Sequence, residues 1–139
     1  MTKGKNDMEI RHYFITLELR KKCTAFLDQI FRTQVELHWA AVMQQDDALE
    51  NVVYVVNDVA IHALLALPPK HPDAHGILLH AMRKFMALAC ASWSGKGELW
   101  ANNYKIRPIK DADELHSLHD FIVQKMLGGK ELSDLGEED

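Results

Sequence analysis

The stretch from Trp93 to Lys110 holds Trp93, Trp100 and Tyr104 among the cations Lys96, Lys105, Arg107 and Lys110, with Glu98 as its one early acid. Aromatic rings interleaved with cations can stack on bases and neutralise phosphates. They can equally anchor a protein interface, where Trp, Tyr and Arg carry much of the binding energy. The plain alternative is that the tryptophans plug the end of a core while the cations stay solvated. We take the segment as a partner-binding surface made by Trp93, Trp100, Tyr104, Lys105 and Arg107. A protein is the expected partner, and nucleic acid is the alternative.

Eight histidines in 139 residues raise the question of metal chemistry. His116 and His119 stand three apart and Asp120 follows, while His71, His75 and His80 cluster further upstream. Zinc asks for ligands that converge at about 2 Å, and helical pairs three or four apart can supply two of them. His75 and His80 are five apart and project differently, and no Glu-x-x-His pair of the di-iron bundle type occurs. The histidines therefore read as surface groups, and neither metal nor cofactor is expected. The His119-Asp120 pair is shared with the metal phosphohydrolases named for it, but their downstream aspartate on a later helix has no counterpart, and that match is rejected. A metal-dependent hydrolase using His116, His119 and Asp120 remains the last alternative.

Nucleophilic catalysis finds no foothold. No G-x-S-x-G elbow occurs, Cys90 lies between alanines with no base beside it, and Ser92 to Lys96 lacks the spacing of a phosphate loop. The acids at Asp46-Asp47 and at Asp111, Asp113 and Glu114 read as helix caps. The expectation is a protein that is not an enzyme.

Composition sets the bounds. A hydrophobic share of 47% with 26% charged residues suits an ordinary globular domain. A net charge of -4 argues against a constitutive coat of nucleic acid, although Arg20-Lys21-Lys22 with Arg11 forms a local basic run. Cys23 and Cys90 make no C-x-x-C pair and read as buried thiols of a reducing compartment. The polar leader has no apolar core, and no run reaches the roughly 18 apolar residues that span a bilayer. A cytoplasmic address without membrane contact is the expectation.

The elements that must hold these residues are read from punctuation. From Lys5 to Leu67 there is neither glycine nor proline, which points to long helices. Helix one is expected from Met8 to Gln45, with Ile10, Phe14, Leu17, Leu27, Phe31, Val35 and Val42 at helical steps and a bend at Arg20-Lys21-Lys22. It is apolar on several sides from Phe26 to Met43, which calls for a second copy of the chain. Helix two is expected from Ala48 to Leu67. Its valine run suits a strand, but Asp47, Asn51, Tyr54, Asp58 and His62 recur at helical steps and decide for helix.

Pro68-Pro69 ends that helix. Asp73 then caps helix three from Ala74 to Trp93, and residues 98–107 form a hairpin about Asn102-Asn103 or an irregular loop. Helix four runs from Ala112 to Leu127, capped by Asp111 and closed by Gly128-Gly129. The sum is an all-α four-helix bundle, with a flexible leader at 1–7, one helical domain at 8–129 and an acidic tail at 130–139. Its expected role is that of a non-enzymatic regulatory or adaptor protein, a homodimer that works by binding protein. A DNA-binding regulator that uses the basic and aromatic hairpin is the alternative.

Overall fold

Tyr13, Ile15, Leu17 and Leu19 are buried while the residues between them are not. That two-residue period belongs to a strand covered on one face. In the computed structural model, which describes residues 10–68, 73–95 and 98–127, these side chains lie on β1 (Arg11–Leu19). A 3-10 turn (Ala25–Leu27) follows, then α1 (Gln29–Gln44), β2 (Glu50–Val56), β3 (Ala60–Leu67), α2 (Ala74–Ser92), β4 (Trp100–Pro108) and α3 (Ala112–Met126). The four strands form one antiparallel sheet in the order β2-β3-β1-β4.

The architecture is α/β, and the expectation of an all-α four-helix bundle is overturned. What reads as helix one is β1 and α1, separated by a turn in which Lys22 takes a φ of 70°. What reads as helix two is the hairpin of β2 and β3. Its turn is made by Asn57, whose side chain accepts the amides of Val59 and Ala60 at 3.0 and 2.9 Å. Glycine is absent because Lys22 and Asn57 do the turning. The β-branched run at Val52-Val53 and Val55-Val56 was the signal that mattered, and the polar residues at helical steps were coincidence.

Asp46 is likewise no helix cap: its carboxylate accepts the amide of Ala48 at 2.9 Å in the turn that leads into β2. The hairpin or loop expected at residues 98–107 is replaced by one continuous strand, β4, paired along β1 from Tyr13–Pro108 to Leu19–Trp100 with an irregularity between Leu17 and Leu19. Helices do occupy the last two stretches read as such, α2 and α3. The leader at 1–7, the Gly128-Gly129 cap and the tail at 130–139 lie outside the described residues.

Two layers of side chains cover the sheet. On one face α1 and α2 pack together over Ile15, Leu17, Ile61, Ala63 and Leu65. Trp39 sits at the centre there, edge-on to Phe85 at 5.1 Å and stacked on Tyr54 at 5.3 Å. On the other face α3 lays Ile122 onto Val55 and Leu64. Arg32 of α1 ties the first layer to the hairpin by donating to the carbonyls of Phe26 and Val56 and pairing with Asp58. Among the described residues no helix is long and apolar enough to cross a membrane.

Candidate functional site

α3 packs over β2 and, less extensively, over β3. The β1–β4 half of that sheet face is left uncovered, and strand alternation decides what stands on it. β1 contributes Phe14, Thr16 and the exposed Glu18, and β4 contributes the exposed Lys105 and Arg107. The register aligns them in rows: Phe14 lies opposite Leu64 and Arg107, and Thr16 lies opposite His62 and Lys105.

An aromatic cluster forms where the open half meets α3. The rings of Phe14 and His62 are parallel, 3° apart with centroids at 6.0 Å. Phe121 of α3 turns its edge to His62 at 5.2 Å and to Phe14 at 6.4 Å. Two cations cap it: the Arg107 guanidinium lies 5.7 Å from the centre of Phe14, and the Lys125 ammonium 5.4 Å from the centre of Phe121. Phe121 remains 37% exposed between them. A half-exposed ring flanked by cations offers a face for stacking and charge for phosphate.

His62 is the titratable group inside this cluster. Burial pushes its pKa down, Lys125 pushes the same way, and Glu18 opposes them. Its Nδ1 is buried without a hydrogen-bond partner among the described residues. Burial and Lys125 thus both favour the neutral imidazole over the imidazolium.

Arg107 is held in place from the helix side. Its guanidinium donates to Glu114, whose other carboxylate oxygen accepts the Lys110 amide at 2.9 Å. The Glu114 amide donates to the Asp111 cap at 2.8 Å. Hydrogen bonding from Arg107, and then from Lys110, holds the Glu114 carboxyl below its ordinary pKa. The end of β4 and the start of α3 are thereby clipped together, with Arg107 laid over Phe14.

The five residues taken as one partner-binding surface divide between opposite faces. Trp100 is core: its ring meets Phe26 and Phe85 at 5.9 Å each, and its Nε1 donates to the Met86 carbonyl at 3.1 Å. Tyr104 packs against the same core from β4, and Trp93 does so from the end of α2. Lys105 and Arg107 point the other way. A strand of period two cannot present Tyr104 and Lys105 together.

Of the histidines, His116 pairs with Asp120 at 3.6 Å on the exposed side of α3, His75 and His80 are exposed, and His71 lies outside the described residues. Among the described residues no three His, Cys, Asp or Glu side chains gather as a metal site. Cys23 is half-buried and Cys90 is exposed, against the expectation of two buried thiols. Phe14, His62, Phe121 and Lys125 were missed. For Phe14 and His62 the signal is available only once β1 and β3 are read as paired strands, whose register sets both on one face.

No family model matches the chain, and no curated protein does. Solved structures do. A REP-associated tyrosine transposase, solved bound to a REP hairpin, superposes with a TM-score of 0.63 at 17% identity, over 86% of this chain and 68% of that one. A putative transposase of Deinococcus radiodurans superposes with a TM-score of 0.52 at 21% identity, over 91% of this chain and 98% of that one. The expectation of a non-enzymatic, protein-binding adaptor is corrected with the helical bundle it was built on: the fold is a different one, and both of these neighbours bear the name of transposases. The chain shares the α/β fold of these transposases, and the cation-flanked sheet face described above is its candidate site.

Proposed function

We propose that the chain binds DNA and takes part in its processing, through the open β1–β4 half of the sheet. The observation that carries this reading is the placing of Arg107 and Lys125 over the partly exposed Phe14–His62–Phe121 cluster, with Lys105 exposed in the next row of the same sheet face. The shared transposase fold supports it, and the hairpin bound to one of those neighbours suggests folded single-stranded DNA as the ligand to try. Cations supply the phosphate attraction, the rings receive bases, and the neutral imidazole of His62 is the group with chemistry to offer.

The chain's tyrosines do not offer it. Tyr13 is buried, Tyr104 packs into the core, and Tyr54 lies against Trp39 with its phenol pushed up by burial and by Glu36. Fluorescence anisotropy with a labelled DNA hairpin, at several salt concentrations, tests the binding. Lys105→Ala combined with Lys125→Ala should weaken it at least tenfold while leaving the circular dichroism spectrum unchanged. The same hairpin, incubated with protein and a divalent cation and run on a denaturing gel, tests processing. Cleavage that His62→Ala abolishes while binding persists supports the full reading. Absence of binding at low salt overturns it.

A further inference from the structure

One face of α1 is apolar and bare. Ile30 is 74% exposed and Leu37 is 64% exposed, and Leu27, in the turn just upstream, is 57% exposed. With Gln34 and Ala41, also exposed, they make a stripe at steps of three and four: Leu27, Ile30, Gln34, Leu37, Ala41. At 100° per residue the four helical members fall on one narrow line. Between Ile30 and Gln45 the one exposed charged side chain is Glu36, which lies well off that line. In a chain with 26% charged residues, an uncharged strip of this length has a use.

We propose that this stripe joins two copies of the chain, packed antiparallel about a two-fold axis at Gln34. The stripe is nearly symmetric about that residue, with apolar side chains three or four and then seven positions away on either side. Reversing one copy sets Ile30 against Leu37, Leu27 against Ala41 and Gln34 against its own counterpart, which is the self-complementarity a closed dimer requires. Two amides meeting on the axis can bond each other and fix the register, as a buried polar residue does in helix pairs. Beside the stripe lies a hollow of about 470 Å³ lined by Ile30, Phe31, Gln34, Ser92 and Trp93 among others. In this register the second copy's Leu37 arrives at its mouth.

The stripe offers no charge to steer an acidic or basic partner, so a second copy is the occupant it suits best. Its extent sets the strength. From Leu27 to Ala41 the strip is roughly 20 Å long, which places the contact near the low end of specific interfaces, at about 1,200 Å² in total. A contact of that size is expected to be weak, and a concentration of about 100 µM should reveal it. The reading is independent of DNA, because α1 and the cations lie on opposite faces of the sheet.

Sedimentation equilibrium of the full chain, without nucleic acid, should find a monomer–dimer equilibrium that salt does not weaken. Leu37→Glu should lower the association constant at least tenfold and leave the thermal midpoint of the monomer in place, since that side chain is already in water. With Cys23 and Cys90 replaced by serine, Gln34→Cys should be joined across the axis by a short bis-maleimide. Gln44→Cys should not, because it lies about 30 Å from its counterpart in this register. A monomer at about 100 µM, a dimer indifferent to Leu37→Glu, or equal cross-linking at 34 and 44 overturns the proposal.

Discussion

His62 sits where a strand, a helix and two cations meet, and its titration reads that environment directly. Burial and the nearby Lys125 lower its folded-state pKa, so the unfolded chain, at an ordinary value near 6.5, takes up the proton first as the pH falls. The unfolded state then binds more protons than the native one, and stability declines as pH drops below about 6.5 until the folded-state pKa is passed. His62→Phe keeps a flat ring against Phe14 and removes the titration. Thermal midpoints taken near pH 7.5 and pH 5.5 should therefore lie closer together in the variant than in the parent protein. An undiminished gap would show that other groups carry the acid sensitivity. Phe121 belongs to the same neighbourhood, and its partial exposure makes Phe121→Ala a change expected to be felt at the candidate face with little cost to folding.

The clips between elements have their own measurable worth. Asp111 caps α3 by accepting the Glu114 amide, and Asp111→Ala should cost about 1 kcal/mol in denaturant titrations. Arg32 has the larger task, because Arg32→Met strands the carbonyls of Phe26 and Val56 that it now serves. A loss of about 1–3 kcal/mol is expected, against less than about 1 kcal/mol for Asp58→Asn at its exposed ion pair. Equal losses for the two would mean that the ion pair, and not the carbonyls, holds the hairpin to α1. These contacts also explain what could be read from the chain and what could not. α2 and α3 are legible because proline, glycine and acidic caps bracket them. β1, β2 and β3 are not, because Lys22 and Asn57 turn the chain without glycine, and Ile10, Phe14 and Leu17 satisfy a helical count by accident. Once β1 is taken for helix, Tyr104 and Lys105 can be imagined on one surface. The alternation of β4 separates them, and the candidate site is drawn instead around Phe14, His62, Phe121 and Lys125.

At the scale of the molecule, a net charge of -4 and a DNA-binding role are compatible only if the attraction is local. The candidate face supplies Lys105, Arg107 and Lys125, with Glu18 set against them and Arg107 already engaged by Glu114. Few phosphates can then be neutralised at once. For about three contacts on single-stranded DNA, the logarithm of the association constant should fall with the logarithm of salt at a slope near -2. A protein coated along a basic surface would show a slope several times steeper. Lys105→Ala should flatten the slope by about 0.7, the share of one phosphate, whereas Leu37→Glu on the far side of the sheet should leave the slope of a single copy unaltered. If the slope is steep and survives Lys105→Ala, the DNA is held elsewhere, and the basic corner at Arg20-Lys21-Lys22, which borders a separate hollow of about 410 Å³ lined by Leu27 and Val59, becomes the surface to vary next.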